Sequence, residues 1–71
     1  MKIITQAGER FDLENAEIKI SGSSKRIIIV LPDGHEATLG KYKDIGRRIE
    51  VFSEIYATFS NGQEVYKMPL K

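Results

Sequence analysis

The sequence predicts an α+β domain in which a small antiparallel sheet, laid down in the order ββββαβ, carries one amphipathic helix packed on one face. Three observations support this. Apolar and polar residues alternate with period two through much of the chain before Tyr42, the period changes to about 3.6 after Asp44, and a last β-prone run is closed by Pro69. With 71 residues, of which 41% are hydrophobic and 30% charged, the chain has the composition of an ordinary globular domain and room for one core, so a single domain over 1–71 is expected.

Lys2 to Gln6 is β-prone and is closed by Ala7-Gly8-Glu9-Arg10, which reads as a first strand and its turn. Phe11 and Leu13 then alternate with Asp12 and Glu14, and Glu17 to Ser21 alternates strictly, placing Ile18 and Ile20 on one face of a half-buried second strand. Arg26 to Leu31 is apolar at consecutive positions, as a central strand with two covered faces would be. Pro32-Asp33-Gly34 suits a tight reversal with Gly34 at positive φ, leading into an antiparallel partner from His35 to Tyr42, with Ala37 and Leu39 on the side of Ile18 and Ile20.

From about 44 to 60 the spacing predicts a helix. Ile45, Ile49, Phe52, Tyr56 and Phe59 fall on one stripe with Ile55 beside it, and Phe52 is expected in the core. Asp44 is placed to accept a first-turn N–H, and Asn61-Gly62 to end the helix. Glu64 to Met68 is the last strand. One helix covers one sheet face, which leaves Ile28 and Val30 on the other. Either the sheet curls to bury both faces, or a homodimer forms through the uncovered sheet face.

Several chemistries find no footing. With no cysteine there is neither a disulfide framework nor a thiolate metal site, and the single His35 has no second imidazole to share a metal. No metal or cofactor is therefore expected. Gly34, Gly40 and Gly46 fit neither a dinucleotide loop nor a phosphate loop. The carboxylates Glu9, Asp12, Glu14 and Glu17 fall mostly on a solvated side, whereas acid–base catalysis needs a desolvated pair, so no enzyme is expected. The longest apolar run, Ile27 to Leu31, is too short to span a bilayer, and the opening residues do not form a secretory leader; a cytoplasmic protein is expected. A net charge of +1 gives no bulk attraction to nucleic acid or membrane.

One local concentration of charge remains. Lys41, Lys43, Arg47 and Arg48 flank the start of the helix, where backbone N–H groups are already partly positive, and basic side chains there are unfavourable by a few tenths of a kcal/mol each. Such a group suits a phosphate, a nucleotide or an acidic protein surface. The competing reading is that Arg47 and Arg48 point apart, roughly 100° per residue around the helix, and stay solvated, with Arg47 pairing Glu50.

The run Met1-Lys2-Ile3-Ile4-Thr5-Gln6-Ala7-Gly8, the step Leu39-Gly40-Lys41-Tyr42 into Ile49-Glu50-Val51-Phe52-Ser53-Glu54-Ile55, and the close Tyr66-Lys67-Met68-Pro69 together resemble short, mostly uncharacterised proteins of phages and integrative mobile elements of Gram-positive bacteria. The chain departs from that pattern at Ala7, where Asp is usual, and at Asp44 to Arg48, where an acidic first turn is usual. The resemblance implies a mobile-element setting and no mechanism. Joined to the missing catalytic groups, it leads to the expectation of a small non-enzymatic binding module acting on a host protein, as an inhibitor or host-takeover factor. The alternative is a protein that sequesters a small anion or nucleotide at the basic helix entrance. A nucleic-acid-binding accessory is a third and weaker reading, because Phe52, Tyr56 and Phe59 are assigned to the core stripe and the other aromatics form no stacking array.

Overall fold

The computed structural model describes residues 1–20 and 22–71. Its elements are β1 (Lys2–Ile4), β2 (Arg10–Asp12), β3 (Glu17–Ile20), β4 (Arg26–Val30), β5 (Glu36–Lys41), α1 (Ile45–Ser60) and β6 (Val65–Lys67). The α+β class and the succession of strands, helix and final strand are those the sequence predicts. The predicted end of the second strand at Ser21 lies outside the described residues.

The strands depart in number, sheet and direction from the single antiparallel sheet expected in the order ββββαβ. The stretch read as one strand from Phe11 onward is divided: the Glu14 N–H donates to Asp12 Oδ1 at 3.0 Å, and Asn15 takes φ +60°, a left-handed conformation that Asn tolerates better than most residues. Phe11 therefore pairs back onto Ile3 in β1, and a new strand starts at Glu17. The six strands form two three-stranded sheets, β2-β1-β6 and β3-β4-β5. In the first, β6 runs parallel to β1, with Ile3 opposite Tyr66. The second is an antiparallel meander in which Ile18, Ile29 and Ala37 line up across the strands. Its tight turn has Gly34 at φ +91°, the conformation expected of Pro32-Asp33-Gly34.

Helix α1 packs on β6 of one sheet and β4 of the other, and the core between them holds Ile3, Ile27, Ile29, Leu39, Val51, Ile55 and Met68, with Tyr42 and Tyr66 at its edges. Asp44 caps the helix, its Oδ1 accepting the Arg47 N–H at 2.7 Å. The buried face, however, is not the predicted stripe. Arg48, Val51 and Ile55 point inward, Phe52 and Phe59 are half-buried shoulders, and Ile45, Ile49 and Tyr56 are exposed. The helix thus lies about one residue, roughly 100°, from the expected phase. It carries two apolar arcs, and periodicity alone does not choose between them. The pairing of Val51 and Ile55 with β4 and β6 decides, because Arg48 on the same arc finds polar partners inside.

Tyr66 ties β6 to the helix, its hydroxyl donating to Glu54 Oε1 at 2.8 Å. Burial, and then the hydrogen bond to that carboxylate, push its ionisation well above the ordinary tyrosine range. In the unfolded chain the same hydroxyl ionises near pH 10, roughly the value of free tyrosine. Above that pH the unfolded state gives up a proton that the folded state keeps, so stability should fall as pH rises, with no such loss below it. Urea denaturation at increasing alkaline pH is expected to show this slope, reduced in Tyr66→Phe. An identical slope in the variant would assign the loss to other groups.

Candidate basic cleft at the helix entrance

The end of β5 is held by a side chain that imitates a peptide. Gln6, just beyond β1, accepts the Lys41 N–H on Oε1 at 2.7 Å and donates from Nε2 to the carbonyls of Lys41 at 3.2 Å and Pro69 at 2.8 Å. One amide therefore joins the β1–β2 hairpin, the end of β5 and the C-terminal segment, which together frame a cleft. Tyr42 forms part of its wall. Its ring rests on Gly40, where an added Cβ would lie 2.8 Å from the tyrosine oxygen, so that a larger residue would displace the ring. The Tyr42 hydroxyl donates to the Pro69 carbonyl at 3.0 Å, and burial raises its ionisation, opposed by the nearby Arg47 charge.

Arg47 leans over this ring with its guanidinium carbon 6.0 Å from the centroid, at the outer limit of a cation–π contact. Its Nε donates to the Lys71 carbonyl at 3.0 Å and its Nη1 lies 4.0 Å from Glu50 Oε1. The resulting cleft, about 460 Å³, is lined by Lys41, Tyr42, Lys43, Arg47, Glu50, Leu70 and Lys71. Four basic side chains face one carboxylate. Arg47 is oriented by its contacts, while Lys41 and Lys43 are exposed and free to follow a ligand.

Three of the four residues singled out by charge, Lys41, Lys43 and Arg47, line this cleft. Arg48 does not. It is 5% exposed, and its Nη1 donates to the carbonyl of Gly22 at 3.0 Å and to that of Ser24, inside the domain and not in the cleft lining. The one-residue step between the arginines turns them about 100° apart, as the competing reading anticipated for direction. Neither arginine is simply solvated, since Arg47 is held by Lys71 and Glu50, and Arg48 is inside. Tyr42, Leu70 and Lys71 are cleft residues that charge counting missed. Leu70 and Lys71 are brought to the cleft by contacts of long sequence separation, from Gln6 and Tyr42 to the Pro69 carbonyl and from Arg47 to the Lys71 carbonyl. The glycine step before Tyr42 was the one local signal.

The lone histidine sits in the β4–β5 turn, Nδ1 2.7 Å from Asp33 Oδ2, and both residues are exposed. The Asp33 carboxyl is held below its usual range by the His35 backbone N–H and then by the imidazole. Among the described residues, no three His, Asp or Glu side chains gather as a metal site requires, and no helix is long and apolar enough to cross a membrane. On the outer face of the β3–β4–β5 sheet, Ile28 and Val30 are half-buried, each set between polar neighbours, Lys19 and Thr38 for the first and Glu17 and Glu36 for the second. No protein-family model, curated protein or solved structure matches the sequence.

Proposed function

We propose that the chain is a small non-enzymatic binding module, active in the cytoplasm, that receives an acidic surface of a partner protein in the cleft formed by Lys41, Lys43, Arg47 and Lys71. The observation that carries this reading is the cleft itself, where four basic side chains meet one carboxylate beside a positively polarised helix start. Arg47, already fixed by Lys71 and the Tyr42 ring, loses little freedom on binding a carboxylate, and a guanidinium offers the fork that carboxylates fit. The resemblance to proteins of phages and mobile elements makes a host protein the partner of choice.

Affinity capture from host lysate identifies the partner, and calorimetry with the purified pair tests the site. Lys41→Glu with Lys43→Glu is expected to leave folding intact, as both side chains are exposed, and to weaken binding by about 1–3 kcal/mol per lost charge-assisted contact. Binding by the parent chain should weaken as salt rises. Unchanged affinity in the double variant would remove the cleft from partner recognition.

A second reading, sequestration of a small anion or nucleotide, is favoured by the cleft's size, which falls in the roughly 300–1,000 Å³ range of small-molecule sites. Nucleotide titration followed by NMR separates the two, since only this reading requires shifts localised to Lys41, Lys43, Arg47 and Lys71. The nucleic-acid reading has the least support: Phe52 and Tyr56 pack edge-to-face on one another, and the Tyr42 ring lies between Gly40 and Arg47.

A further inference from the structure

We propose that the free edge of β3 docks a second copy of the chain, the two β3 strands pairing antiparallel about a twofold axis at Ile18 so that the β3-β4-β5 sheets of both copies join into one. β3 is the outer strand of its sheet and has β4 as its one neighbour. Among the described residues, no backbone hydrogen bond outside the β3–β4 ladder reaches Glu17 to Ile20. The other edge of the strand therefore offers unpaired N–H and C=O groups, and what satisfies a row of these is another extended backbone.

Charge identifies the occupant as a second copy and sets the register. Along Glu17-Ile18-Lys19-Ile20 the charged side chains share the outer face, 3.9 Å apart, with Glu17 69% and Lys19 50% exposed, and the isoleucines face the core. With Ile18 of the two copies opposite each other, Glu17 of each stands across from Lys19 of the other. Opposite charges directly across an antiparallel pair stabilise it, and like charges destabilise it. Sliding the strands by two residues sets Lys19 across from Lys19, or Glu17 across from Glu17. Sliding them by one sends the isoleucines of one copy to the solvent face of the other. A lone lysine on an edge repels a second copy; Glu17, two residues away on the same face, turns that repulsion into a selector of register.

The same register covers apolar surface. It sets Ile20, half-buried within one chain, across from Ala16 of the second copy, which is half-buried as well. Ala16 and Ile18 form the sheet side of a hollow of about 210 Å³ whose helix side is Ile55, Tyr56 and Phe59, so the added strand runs along its rim. A twofold axis normal to the sheet keeps both core faces on one side. β2 is another outer strand with a similar charge order, Arg10-Phe11-Asp12, but its Asp12 carboxylate is turned back onto the Glu14 N–H. The outer sheet face, where Ile28 and Val30 are divided by charged and hydroxyl side chains, has no continuous apolar surface to pair. β3 shares no residue with the basic cleft, so either proposal stands if the other fails.

Sedimentation from micromolar to millimolar concentration is expected to give twice the chain mass at the upper end. Glu17→Lys alone and Lys19→Glu alone each set like charges across the seam, and each should stay at the chain mass with a melting temperature near the parent's, as both sites are exposed. Mixed in equal amounts, the two variants restore opposite charges in every pair and should sediment together as a heterodimer. Glu17→Lys combined with Lys19→Glu in one chain should dimerise as the parent does. A parent chain that stays at the chain mass at millimolar concentration, a single variant that dimerises as the parent does, or a mixture that stays at the chain mass would overturn the proposal.

Discussion

Ile55→Ala is expected to destabilise the fold by about 2–5 kcal/mol, the range for deleting a large aliphatic side chain from a core. Ile55 is fully buried on the inner arc of α1 beside Val51, where the helix meets β4 and β6. In a domain of this size such a loss consumes much of the net stability, which is only about 5–15 kcal/mol for natural domains and lower for small ones. Phe52→Ala, though it deletes a larger side chain, should cost less, about 1–2 kcal/mol, because half-burial returns only part of the transfer free energy. Urea denaturation of the two variants side by side reads the helix phase directly: the opposite order would restore the stripe of Ile45, Ile49, Phe52, Tyr56 and Phe59 to the core.

Arg48→Ala is expected to cost about 2–3 kcal/mol, the range for hydrogen bonds from a charged donor together with lost packing of its aliphatic stem. The guanidinium reaches the carbonyls of Gly22 and Ser24 in the turn between β3 and β4 and holds that turn against the helix. Without it the two carbonyls lose their donor, and the space left by a buried side chain must collapse or fill with water. Arg48→Lys should recover part of the loss, since both carbonyls accept from the single Nη1 and an ammonium also carries several donors on one nitrogen. A variant that unfolds at the parent's urea midpoint would mean that the turn holds itself.

The elements governed by local chemistry were legible in the sequence. Asp44 as the helix cap, Pro32-Asp33-Gly34 as the β4–β5 reversal, and the alternation at Ile18 and Ile20 each follow from the preferences of a few neighbouring residues. What was not legible depends on residues far apart. The parallel placement of β6 beside β1 pairs Tyr66 with Ile3, and nothing near either residue announces it. The division of the second strand turned on Asn15 adopting positive φ, an option that asparagine has and does not always use. The helix phase failed for a different reason. Reading Arg48 as polar and therefore outward removed it from the inner arc, yet an arginine can be buried when backbone carbonyls receive its donors. The same error assigned it to the anion-binding group. Lys41, Lys43 and Arg47 were found by charge density alone, whereas Leu70 and Lys71 join them through the contacts of Gln6, Tyr42 and Arg47 with the C-terminal segment.

The central claim is that two adjacent arginines do opposite work, Arg47 facing a partner and Arg48 holding the fold. The most direct measurement is the stability and partner affinity of Arg47→Glu and Arg48→Glu made separately. Arg47→Glu should stay within about 1 kcal/mol of the parent in stability, because a carboxylate near the helix start partly offsets the lost contacts with Lys71 and Glu50, and it should bind the partner more weakly. Arg48→Glu would bury a carboxylate against two carbonyls and should lose about 3–5 kcal/mol, the cost of an uncompensated buried charge. Equal stabilities for the two variants, or full affinity in Arg47→Glu, would contradict the account.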